Sequence, residues 1–160
     1  MTASVFDVSK YILNKQGSMT TMKLQKLAYY SYAWHLVWNG SPLFGEKFQA
    51  WKNGPVCYEL FAAHKKMFMI SSGDLSVGNS ENLTEAEIST VDAILADYGL
   101  LNSGQLSDLS HSERPWFKTR NDPFLGEVEN GIISDELMRD FYTEAAASGI
   151  KVAEIAWPRS

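Results

Sequence analysis

Between Thr20 and Trp38 the chain reads TTMKLQKLAYYSYAWHLVW, with neither Gly nor Pro until Asn39-Gly40-Ser41-Pro42 breaks it. Ser18 or Thr20 can cap a helix that starts there. At helical spacing, Leu24, Leu27, Ala28, Ser31, Trp34, His35 and Trp38 share one face, and Met22, Tyr29, Ala33, Leu36 and Val37 occupy the opposite one. The only charges after Thr21 are Lys23 and Lys26, both in the first turns. A helix apolar on nearly every side must be surrounded by other elements. The domain is therefore expected to be built around this helix.

The rest of the chain can supply that surround. Its 160 residues suit one domain, expected over residues 1–155 with 156–160 as a tail. Hydrophobic content of 45% against 21% charged residues reads as globular. Five Trp, seven Tyr and eight Phe can fill a core and leave a surplus for a partner surface. A net charge of −5, with no Lys/Arg-rich run, argues against nucleic-acid binding and suits a basic partner. Cys57 is the only cysteine, which excludes an internal disulfide and an all-Cys metal site; a small buried thiol is the plainer reading. The N-terminus mixes charges into its apolar residues, so it lacks a signal-peptide core, and no apolar run approaches the ~20 residues of a membrane span. A cytoplasmic location is expected.

The periodicity predicts further helices over residues 4–15, stopped by Gly17, and from Thr84, whose Thr-x-x-Glu pattern with Glu87 makes a capping box, to Gly99. Ile88, Val91, Ile94, Leu95 and Tyr98 form the apolar stripe of the latter. Residues 46–51, EKFQAW, alternate like a strand, with Phe44, Phe48 and Ala50 on one side. Lys52-Asn53-Gly54 turns the chain, and Pro55 is expected at the first position of a helix running to Met69. Residues 71–83 read as a loop, or a hairpin enclosing Leu75 and Val77. A short helix from Ser103 to Leu109 follows, then a segment opened by Arg114-Pro115-Trp116. The last helix is capped by Ser134, turns Leu137, Phe141 and Tyr142 inward, and ends at Gly149. The expected fold is mainly α, a compact helical domain around the central apolar helix with a small β-strand or hairpin element.

Three histidines invite a metal or acid–base reading, but no His-x-x-x-His or His-x-x-Glu pattern joins them. His35 lies on the buried stripe and reads as a hydrogen-bonded core residue. His64, beside Lys65 and Lys66, reads as half-exposed and without an obvious partner. His111 sits in the polar run Leu109-Ser110-His111-Ser112-Glu113-Arg114-Pro115-Trp116. It can lock a loop through backbone carbonyls or face a partner or substrate. Gly54-Pro55-Val56 suits tight strand-to-helix packing better than anion binding, because Pro55 removes a donor. Glu59 is placed to complement a helix N-terminus. Without Gly-x-Ser-x-Gly around Ser110 or Ser112, a hydrolase triad has little support. No catalytic, cofactor or metal residue is assigned.

Two blocks carry a family resemblance. The first holds Met22-Lys23-Leu24-Gln25-Lys26-Leu27, Tyr30, Trp34-His35, Pro42-Leu43-Phe44, Ala50-Trp51 and Gly54-Pro55-Val56. The second is Leu106-Ser107-Asp108-Leu109-Ser110-His111 with Glu113, Pro115 and Trp116, where Ser110 stands in place of the family's usual Thr. In this order they resemble the Panacea domain of SocA-like antitoxins from bacteria and phages. The resemblance implies a mainly helical fold and neutralisation of a protein toxin, typically encoded next door, by direct complex formation. Some relatives deliver the toxin to an energy-dependent protease; a small hydrolase centred on His111 and Glu113 is the remaining alternative. The shared residues Lys23, Leu24, Lys26, Leu27, Tyr30, Trp34, His35, Trp51, Gly54, Pro55, Val56, Ser110, His111, Pro115 and Trp116 are expected to maintain the scaffold mostly.

Overall fold

The computed structural model describes residues 2–148. Helix α1 (Val5–Gln16) opens with a capping box: Ser4 Oγ accepts from the Asp7 N–H, and the Asp7 carboxylate accepts from the Ser4 N–H. Its apolar residues Val5, Val8, Ile12 and Leu13 are buried, and Gly17 ends it at φ +80°. A two-residue strand, β1 (Met19–Thr20), leads into α2 (Thr21–Asn39), which Thr20 caps by accepting from the Lys23 N–H. Gly40, in the left-handed conformation, closes α2 through its N–H to the Leu36 carbonyl. Every residue from Leu24 to Leu36 is buried, so α2 is the central helix. That burial takes Gln25, Lys26, Ser31 and His35 out of water, and each then needs a partner.

The segment after the turn departs from expectation. Residues 54–57 are not the start of a helix. They form β3 (Gly54–Cys57), antiparallel to β2 (Phe48–Trp51), with Trp51 opposite Gly54 and Ala50 opposite Pro55. The Ala50 N–H donates to the Gly131 carbonyl and its C=O accepts from Asn130, both on the side away from β3. Ala50–Pro55 is therefore a pair across which no ladder bond is needed, and proline's missing N–H is harmless there. The Ile133 N–H donates to the Phe48 carbonyl, so residues 130–133 lie along β2 as an irregular third strand. The helix itself, α3 (Tyr58–His64), is short, and Phe68 lies beyond it, 77% exposed. Strand β4 (Met69–Ile70), which the residue pattern did not announce, pairs with β1.

Residues 71–83 form two 3-10 turns, Ser72–Asp74 and Ser80–Asn82, rather than a hairpin; Leu75 is buried, but Val77 is exposed. They lie against α1, where Lys10 Nζ donates to the Ser72 carbonyl and the Asn79 N–H to Asp7 Oδ1. Helix α4 (Glu85–Tyr98) carries the Thr84–Glu87 capping box and buries Val91, Ile94 and Tyr98, with Ile88 and Leu95 half-buried beside them. Helix α5 (Ser103–His111) is capped reciprocally by Asn102 and Gln105, and α6 (Arg114–Arg120) has Pro115 in its first turn. A small hairpin of β5 (Asn121–Asp122) and β6 (Gly126–Glu127) precedes α7 (Asp135–Ala147), capped by Ser134. Helix α7 buries Met138, Tyr142 and Ala145; Leu137 and Phe141 flank this stripe half-buried. Helices α4 and α7 both pack along α2, giving a mainly helical fold with a small hairpin. The expected stop at Gly149 and the tail at 156–160 lie outside the described residues.

Candidate functional site

The polar side chains that α2 takes into the core organise three neighbourhoods. Gln25 satisfies β3 as a backbone would: its Oε1 accepts from the Cys57 N–H at 2.8 Å and its Nε2 donates to the Cys57 carbonyl at 3.1 Å. The same Nε2 lies 2.9 Å from His64 Nε2. His64 is thus buried and partnered, not half-exposed, because α3 ends there and turns the imidazole inward. One helical turn from the end of α2, His35 Nδ1 lies 2.8 Å from Thr90 Oγ1 and 3.1 Å from Asn39 Nδ2. Burial holds both imidazoles below their usual pKa.

The second neighbourhood gathers residues far apart in sequence around the β2–β3 turn. Gly54 has φ +116°, and a β-carbon there would lie 2.6 Å from Lys26 Cε and 2.9 Å from Ser110 Oγ. Close approach explains this glycine better than a turn alone. Helices α5 and α6 grip the turn: Ser107 Oγ donates to the Asn53 carbonyl, Trp116 Nε1 to the Trp51 carbonyl, and Arg120 Nη1 to the Ala50 carbonyl. The His111 ring packs on Trp116 with centroids 4.2 Å apart and bonds the Lys52 backbone. His111 closes α5 instead of standing in a loop; its Nε2 is buried without a partner, and burial lowers its pKa. Lys26 is also buried with an unpartnered Nζ, and desolvation brings its pKa down to about 7. Lys23, by contrast, reaches the Gly99 carbonyl. Leu24, Leu27, Pro55, Val56 and Pro115 are all buried around these groups.

The third neighbourhood was hidden from sequence reasoning. Glu113, read there as part of a polar turn, is fully buried, and its Oε1 accepts from the Tyr30 hydroxyl at 2.7 Å and the Tyr142 hydroxyl at 2.8 Å. Tyr142 also reaches the Tyr29 hydroxyl, Tyr30 stacks on Tyr98, and Trp34 Nε1 donates to the Tyr98 hydroxyl. Burial raises the Glu113 carboxyl to about 7, and the two tyrosine bonds only partly oppose that. Glu113 faces this tyrosine cluster, whereas His111 faces the β2–β3 turn. The two engage different networks, so the geometry does not assemble a hydrolase centre from them. Cys57 is buried with its thiol pushed up to about 12, far from a reactive thiolate. Among the described residues no group of three or more His, Cys, Asp or Glu could hold a metal ion.

Aromatic side chains also reach the surface. Trp51 and Phe61 rings meet at 4.9 Å, and Tyr58, 54% exposed, extends the group. Met67, Phe68 and Met69 follow α3, all exposed. Among the described residues no helix is long and apolar enough to cross a membrane.

The structure is a helical domain that wraps one apolar helix and pins a hairpin turn with motif residues from two distant blocks of the sequence. The chain belongs to the family of SocA-like antitoxins with a Panacea domain, whose profile matches residues 24–117 and so includes every motif residue named above except Met22 and Lys23. It is similar to Antitoxin SocA of Caulobacter vibrioides (strain NA1000 / CB15N), with 28% identity over 152 residues covering 83% of this chain and 79% of that protein. No solved structure matches. Family membership supports an antitoxin role, implies a toxin partner in general, and suggests a non-enzymatic activity.

Proposed function

We propose that this protein is an antitoxin that neutralises a protein toxin by binding it directly, and that Tyr58, Phe61 and Trp51 form part of the contact surface. The observation that carries the reading is the family match, together with a relative named as an antitoxin over most of both chains. The exposed aromatic group supports the location. Amphipathic rings in contact with one another, half in water, are the usual anchors of protein interfaces. The −5 net charge suits a basic toxin surface and would speed encounter.

The test co-expresses this protein at graded ratios with the product of the neighbouring gene, where the family resemblance places the toxin. Growth rescue should require roughly equimolar protein, and the pair should co-elute on size-exclusion chromatography. Tyr58→Asp should keep its melting transition, because the side chain is exposed, while weakening the complex by more than about tenfold, as loss of an interface anchor does. Rescue at strongly substoichiometric levels with a covalently altered toxin would show an enzyme instead. Disappearance of the toxin only when an energy-dependent protease is present would show an adaptor.

A further inference from the structure

Glu113 lies where three helices meet. It directly precedes α6, and its Oε1 accepts from the Tyr30 hydroxyl of α2 and the Tyr142 hydroxyl of α7. Its other oxygen, Oε2, is buried and has no hydrogen-bond partner. The titratable groups that feel its charge are tyrosines: Tyr29 and Tyr30 of α2, Tyr98 of α4 and Tyr142 of α7. The charged side chains of the surrounding elements are engaged elsewhere. Arg114 pairs with Glu144 at the surface, Arg139 of α7 acts on Tyr32, and Asp97 of α4 acts on Tyr98. On α5 the His111 ring lies against Trp116, while Lys26 of α2 acts on His64 and His111, and His35 meets Thr90. No ion pair among the described residues includes Glu113. The cage therefore suits a neutral carboxyl. A carboxylate would keep two phenolic donors on Oε1 but leave charge on Oε2 without a donor and out of reach of solvent.

Helix α7 is fastened unevenly. Its first half carries Met138 in the core, and Asp135 there accepts from the Tyr32 hydroxyl and pairs with Lys47. From residue 141 onward, among the described residues, its polar attachments to the rest of the fold are two. Tyr142 meets Glu113 and Tyr29, and the exposed Arg114–Glu144 pair adds little. The helix then ends in Ala145, Ala146 and Ala147, of which Ala145 alone is buried. Helices α2 and α6 have no such freedom: α2 is buried from Leu24 to Leu36, and α6 is tied to β2 through Trp116 and Arg120. Lifting the second half of α7 is thus the smallest movement that brings water to Oε2.

We propose that the second half of α7, residues 141–147, is a proton-dependent latch. It stays seated while Glu113 is neutral and loosens once the carboxyl ionises, uncovering Tyr29, Tyr30 and Trp34 of α2. The latch does not depend on the toxin-binding reading, and it says where the molecule opens, which a change in overall stability does not. Native-state hydrogen exchange of the full-length protein tests it, corrected for the intrinsic pH dependence of exchange and repeated at low urea concentrations. Residues 142–147 should exchange through a local opening that is nearly insensitive to urea, whereas the buried part of α4 should need the rarer, urea-dependent global unfolding. That local opening should become at least about tenfold more frequent from pH 5 to 7 and level off above, where the seated form has also lost its proton. Glu113→Gln, which keeps an oxygen acceptor for both tyrosines, should remove the pH dependence. A second measurement needs no variant: the 13C-labelled Glu113 carboxyl of the wild-type chain should titrate near neutrality, in step with the α7 opening. The proposal is overturned if residues 142–147 exchange only by global unfolding, if their opening is flat between pH 5 and 7, if Glu113→Gln retains the rise, or if the carboxyl titrates at an ordinary 4.5.

Discussion

At Gly54, Lys26 and Glu113 the fold constrains a single residue in ways that can be measured. Any side chain at Gly54 meets both a positive φ and the Lys26 methylenes, so Gly54→Val should destabilise the domain by at least about 2 kcal/mol, read from denaturant midpoints. A variant as stable as wild type would show that the turn can move off Lys26. Lys26 and Glu113 make stability depend on pH in opposite senses. Glu113 keeps its proton up to about 7 in the folded state against an ordinary 4.5, so the native chain holds the extra proton in between, and stability falls as pH rises through that window. Lys26 loses its proton at about 7 instead of 10.5, so above 7 the unfolded chain holds the extra proton and stability rises with pH. His35, His64 and His111, all lowered, act in the Lys26 sense below about 6.5, so each contribution is best read as a difference between variants. Glu113→Gln should flatten the fall between about pH 4.5 and 7, and Lys26→Met the rise between about 7 and 10, each by roughly 1–3 kcal/mol. Parallel pH profiles for wild type and Glu113→Gln would mean that the carboxyl is not buried as described.

At the scale of elements, the central helix dominates. Leu24 and Leu27 are fully buried in α2, and truncating either to Ala should cost about 2–5 kcal/mol by leaving a cavity; unchanged unfolding midpoints would contradict its central position. This helix was legible because an apolar surface on all sides has one physical solution. So were the helices opened by Thr84–Glu87 and Ser134, since capping chemistry is local and was found where those residues predict it. The helix expected over residues 55–69 failed for a non-local reason. Pro55 suits a helix start and a non-bonded strand pair equally, and only Asn130 and Gly131, on the far side of Ala50, show which pair it is. The failure carried His64 with it, because its exposure was inferred from a helix that continues, whereas the observed one stops. Strands β1 and β4 are too short to have a period. Glu113 was missed for the same kind of reason: its partners Tyr30 and Tyr142 are 83 and 29 residues away, and nothing beside it in sequence is apolar enough to foretell burial. The convergence of Lys26, Gly54, Ser110 and His111 was visible only as co-occurring motifs, without the geometry that makes them one neighbourhood.

The whole molecule is closed by its last described helix. Tyr142 of α7 completes the shell around Glu113, Tyr29 and Tyr30, and residues 130–133 complete the sheet edge, so the N-terminal two-thirds has no finished core of its own. A chain ending at residue 134 should therefore lose cooperative thermal unfolding and expose enough apolar surface to bind a hydrophobic dye; a sharp transition in that fragment would show that α7 is dispensable. The same closure sets a schedule during synthesis. The tyrosine that covers Tyr29 is encoded 113 residues later. At ordinary elongation rates the ribosome takes roughly 6–23 s to reach it. Until then the central helix lacks the cover that α7 gives it. A nascent chain still short of Tyr142 thus lacks the cover that Tyr29 and Glu113 have in the finished domain.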